Sequence, residues 1–139
     1  MYTKNDKLFC DLSDRAVFVN LDQGLFYAFP VFANVVLRFI LSGKTLDETI
    51  KAIQDIPGVP DNIADSVKIT FNDMIKYELI VESDTPEIIP MIDINKQMVM
   101  DMTDEEFDPV IIVSADIQKL LMDDPIHDVS AEGWAPNLQ

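Results

Sequence analysis

The sequence predicts an α+β fold in which an antiparallel β-meander leads into three helices and then an acidic extension. Three observations predict it. Apolar residues alternate over residues 15–21 and again over 25–29, with a glycine-bearing turn between them, which is the period of half-buried strands. Three segments between residues 30 and 76 then carry apolar residues at helical spacing, bounded by start and stop signals. Finally, charge divides the chain near Ser83 and Asp84: residues 1–83 hold 12 acidic and 8 basic side chains, residues 84–139 hold 13 and 2.

The elements follow in order. Residues 8–12 (LFCDL) form a short strand with apolar residues on both faces. Val17, Val19 and Leu21 then alternate with Phe18 and Asn20. Asp22, Gln23 and Gly24 supply the turn, with Gly24 free to take positive φ, and residues 25–29 return antiparallel. The result is a meander of two or three strands. Pro30 suits the first turn of a helix, where a missing N–H costs nothing. Phe32, Val35, Val36, Phe39 and Ile40 give that helix its apolar face through Ser42, and Gly43 is placed to end it. Thr45 and Glu48 form a capping box for a second helix, whose stripe is Leu46, Ile50 and Ile53. Residues 57–60 (PGVP) break it. Asp61 is positioned to cap a third helix with Ile63, Val67, Phe71 and Met74 inward, and residues 79–81 leave it extended.

This layout is a winged-helix-like unit, and residues 7–82 resemble the PqqD-like family of RiPP recognition elements. The resemblance rests on residues 17–29 (VFVNLDQGLFYAF), the helix end at 41–43 (LSG), the helix start at 45–50 (TLDETI) and the run 77–81 (YELIV). Glu78 departs from the pattern, standing where the family often has glycine, which loosens the predicted end of the third helix. The resemblance implies a cytoplasmic peptide chaperone of natural-product biosynthesis. It would bind the leader of a ribosomally made precursor peptide and present it to a separate modifying enzyme. Carried over by position, the leader adds a strand to Leu25, Phe26, Tyr27, Ala28 and Phe29, and lies on Lys68, Ile69, Asn72, Ile75 and Lys76 of the third helix. Strand addition uses the unpaired N–H and C=O groups of a sheet edge, and the two lysines would flank an acidic, apolar leader. Ordinary packing offers a plainer account: Phe26 and Tyr27 suit a core wall, and surface lysines are commonly just solvated. An edge strand can also be covered by another part of its own chain.

The chain thus divides into a module, residues 1–83, which the resemblance implies binds peptide, and an acidic extension, residues 84–139. The extension is too apolar for a purely solvating tail. Residues 88–94 (IIPMIDI) and 110–113 (VIIV) read as strands or extended segments, and residues 116–122 (DIQKLLM) suit a short helix. It either docks on the module or a partner, or mimics a leader and fills the groove. The groove-filling candidate is the stretch 104–113 (DEEFDPVIIV), which joins β-propensity to charges that Lys68 and Lys76 can meet. A fusion of module and peptide would give the same sequence. Exchange of the edge strand or the tail between copies offers a route to a homodimer.

Catalytic readings fail on inventory. Cys10 lies beside Phe9 in an apolar strand and His127 far away in the extension, and neither has a motif around it. The four glycines are scattered, so no phosphate loop forms, and no CxxC or HExxH pattern occurs. The expectation is a protein that is not an enzyme and needs no cofactor. Asp123, Asp124 and Asp128 surround His127, but a solvated acidic loop accounts for them better than a metal site, which needs further converging ligands. Trp134 is expected to pack on the domain or a partner. The formal net charge of −15 opposes binding to nucleic acid or anionic membranes. No apolar run approaches the ~20 residues of a membrane span, and no signal-peptide core is present at the N-terminus. Two alternatives to leader binding stand: an acidic protein–protein adaptor without peptide specificity, and a winged-helix regulator. The regulator is disfavoured because Asp61, Asp65, Asp73 and Glu78 offset Lys68 and Lys76 on what would be its recognition helix.

Overall fold

The computed structural model describes residues 1–115. In chain order the elements are β1 (Tyr2–Lys4), β2 (Phe9–Asp11), β3 (Val17–Asn20), β4 (Leu25–Ala28), α1 (Val31–Leu41), α2 (Leu46–Gln54), α3 (Ile63–Lys76), β5 (Ile80–Glu82), α4 (Lys96–Asp104) and β6 (Ile112–Ser114). The fold is α+β, with all strand pairing antiparallel. One sheet has the order β2-β3-β4-β6 and the other is β1-β5.

Helix α1 lies at the centre. All eleven of its residues are buried, as expected of a helix that is hydrophobic nearly all round. Its two polar members bind neighbouring backbone. Asn34 accepts the Ala16 N–H at 3.0 Å, and Arg38 donates to Leu12 O at 3.3 Å and Pro90 O at 2.8 Å. The helix ends at Gly43, whose φ is +103°, with Gly43 N–H bonded to Ile40 O and Lys44 N–H to Phe39 O, a Schellman closure. The α2 capping box forms as the sequence requires: Glu48 N–H reaches Thr45 Oγ1 at 3.1 Å, and Thr45 N–H reaches Glu48 Oε1 at 2.9 Å.

Two expectations change. Asp61 does not cap α3; Asn62 holds the N-cap position without a side-chain bond, and turns of the backbone bond Ile63 N–H to Pro60 O and Asp65 N–H to Asn62 O instead. In the α3 stripe Thr70 is fully buried, while Phe71 is half-buried, edge-on to Tyr2 at 5.3 Å. Of the two forms expected for residues 88–94, a strand or an extended segment, no strand forms. These residues cross α1 irregularly, held by Ile89 N–H to Leu41 O at 2.9 Å and by the Arg38 bond to Pro90.

The acidic extension therefore lies against the module as far as it is described. Helix α4 begins at Asn95, whose side chain accepts the Met98 N–H, and buries Met102. Its C-cap Glu105 reaches across to the start of α1, where Oε1 accepts the Val31 N–H at 2.9 Å and Oε2 meets Arg15 at 2.7 Å. Pro30 gives α1 no side-chain cap, so this carboxylate sits where the helix dipole favours negative charge. Among the described residues no helix is long and apolar enough to cross a membrane. The helix expected at 116–122, the His127 loop and Trp134 fall outside the described residues.

Candidate functional site

The edge of β4 decides what the sheet can accept. Phe29 donates its N–H to Ala16 O at 3.1 Å, in line with the β3–β4 register that sets Ala28 opposite Val17. Backbone groups alternate in direction along an antiparallel strand. Leu25 and Tyr27 therefore bond toward β3, and Phe26 and Ala28 turn their N–H and C=O groups to the other side. That side is taken by β6, with Ala28 opposite Ile112 and Phe26 opposite Ser114.

The segment leading to β6 is fixed at three further points. Phe107 is buried and meets the Phe32 ring edge-on at 6.1 Å. The Thr70 hydroxyl of α3 donates to Pro109 O at 2.8 Å. Ile111 is 3% exposed and belongs to the core. Residues 107–114 thus pass from α3 to the β4 edge and complete the sheet as an added strand. Their other side chains face out: Val110, Ile112 and Val113 are 53%, 56% and 41% exposed. A cleft of about 600 Å³ runs beside them, lined among others by Arg15, Val17, Ala28, Glu105 and Ile112.

Of the ten residues expected at a peptide site, five line the sheet and five lie on the helix surface. Phe26, Tyr27 and Phe29 are buried, and Leu25 and Ala28 are half-buried. Tyr27 stacks at 5.3 Å on Tyr77, just past the end of α3. Burial raises the Tyr27 phenol pKa, with smaller contributions from Tyr77 and Glu78. Lys68, Ile69, Asn72, Ile75 and Lys76 are all exposed. Lys76 Nζ lies 5.5 Å from the Tyr77 ring centroid. Among the described residues neither Lys68 nor Lys76 forms an ion pair; the carboxylates of the extension that do so are Glu105, with Arg15, and Glu87, with Lys4.

Two contributors escaped sequence reasoning. Thr70 and Tyr77 mark the side of α3 that meets the added segment and β4, whereas Phe71 marks the side that meets β1. The signal for Thr70 was present: a lone hydroxyl on a buried apolar stripe needs an acceptor beyond its own helix turn. Cys10 is half-buried, and desolvation pushes its thiol up to about 11, so it is a poor nucleophile. Arg38 borders a second pocket, of about 290 Å³, together with Asn34, Met98 and Asp101. The chain matches no family model, no curated protein and no solved structure.

Proposed function

We propose that this chain is a strand-accepting peptide-binding protein of the PqqD-like kind, which takes up the leader of a ribosomally made precursor peptide and presents it to a separate, cytoplasmic modifying enzyme. One observation carries the reading: within an apolar, β-prone segment, residues 107–114, Ile112–Ser114 are seated as an added antiparallel strand on β4 while α3 holds the backbone at Pro109. The outward backbone groups of Phe26 and Ala28 supply the ladder that strand addition uses for affinity, and Ile111 is the side chain of the segment that enters the core beside it. The inert Cys10 and the scattered carboxylates supply no competing catalytic centre among the described residues.

The test is to titrate the leader of a neighbouring precursor gene into the isotope-labelled full chain. Amide shifts concentrated on Phe26, Ala28, Thr70 and Tyr77 support the reading. Saturable binding that leaves these amides in place refutes the groove. Capture of an enzyme from solution without any precursor, coupled with no leader binding, favours the adaptor.

A further inference from the structure

We infer that residues 108–114 are an internal occupant of the groove, a strap that must leave β4 before another peptide can enter. The inference rests on the peptide-binding reading and specifies how that site is regulated.

The geometry separates a fixed part of the extension from a detachable one. Everything up to Glu105 has its own anchorage: Pro90 on Arg38, Met102 in the core, Glu105 on Val31 and Arg15. Then two consecutive non-glycine residues, Glu106 and Phe107, take φ of +58° and +53°, a left-handed conformation that L side chains adopt at a cost. Beyond that turn, among the described residues, the strap is held by the Pro109 bond to Thr70, the Ile111 side chain and a three-residue ladder. Peeling it away takes Ile111 out of the core but leaves α4 and Phe107 where they are. A tethered strand acts at an effective concentration in the millimolar range. An external peptide of similar intrinsic affinity, present at micromolar concentration, is therefore excluded unless its own contacts are better. The strap acts as a selectivity threshold.

The test uses the full chain and, as probe, a fluorescent synthetic peptide of residues 104–115 (DEEFDPVIIVSA). Ile112→Pro removes a backbone donor to Ala28 and should tighten probe binding at least tenfold over wild type. A second variant locks the strap. Ala28→Cys with Ile112→Cys, in a Cys10→Ser background, joins residues paired across the ladder, whose Cα spacing of about 5.5 Å suits a disulfide. The oxidised form should bind no probe, and reduction should restore wild-type binding. Equal binding by the oxidised and reduced forms overturns the strap while leaving peptide binding standing. If Ile112→Pro keeps a native spectrum yet takes up no probe at any concentration, the groove does not accept strands and the functional reading falls with it.

Discussion

At the scale of single residues the left-handed positions are the most telling. Helix α3 closes as a Schellman motif, with Glu78 N–H on Ile75 O and Leu79 N–H on Met74 O, and its left-handed residue is Glu78 at φ +59°. The sequence flagged Glu78 as standing where glycine is usual; the helix nonetheless ends there. The closure holds because Asn5 donates to the Glu78 carbonyl at 2.8 Å and to the Leu79 carbonyl through its own N–H at 3.0 Å. Glu78→Gly should relieve the left-handed cost and, after the extra unfolded-state entropy of glycine, stabilise the fold by about 0.5–1 kcal/mol. Thermal unfolding checks it; an unchanged or lower Tm would show that the position carries no strain. Cys10 gives a second test. With its thiol raised from 9.0 to about 11 by burial, the folded protein at pH 8 should hold roughly 100-fold less thiolate than the unfolded chain, and alkylation by iodoacetamide should slow accordingly. Equal rates in buffer and in urea would contradict it.

At the scale of elements, legibility follows the range of the interactions. Gly43, the Thr45–Glu48 box and the alternation of β3 and β4 are local, and sequence spacing alone identifies them. Strand β1 is three residues long and pairs with β5, some 78 positions away, with Tyr2 opposite Glu82, so no local pattern announces it. Helix α4 buries only Met102 and lacks a periodic stripe. At the candidate site β4 was legible as a strand from its alternation, whereas the contact of α3 with the added segment was signalled only by Thr70, a polar residue in sequence that lies buried in the structure. The least visible link is Glu105, which caps α1 from 74 positions away. Glu105→Ala should remove that acceptor and the Arg15 pair together, costing about 1–2 kcal/mol. Glu105→Gln keeps an oxygen for the Val31 N–H and should cost roughly half as much. Urea titration of the two variants separates them: equal losses would mean that the charge, not the hydrogen bond, carries the effect.

At the scale of the whole molecule, charge sets the conditions under which this fold holds together. A formal charge of −15 is opposed, among the described residues, by three ion pairs that all involve partly or well exposed groups, and such pairs contribute little. Net repulsion therefore acts against the compact state. Salt should relieve it, since the screening length falls from about 30 Å at 10 mM to about 10 Å at 0.1 M. At pH 7 the Tm should rise over that range, and a fall would mean that specific attractions outweigh the repulsion. Acid works differently. Backbone and side-chain hydrogen bonds from Ser13 hold the Asp11 carboxyl below its ordinary value, and the Thr45 N–H does the same for Glu48. A carboxyl with a depressed folded pKa stabilises above its unfolded pKa, here 3.8 and 4.5, and that stabilisation is lost as pH falls through the folded value. The loss should therefore start below about pH 5 and deepen toward pH 3. Glu48→Gln cannot be titrated and should flatten part of this limb while leaving the salt dependence at pH 7 nearly unchanged. A Glu48→Gln chain that keeps the full acid limb would assign the loss to other carboxylates.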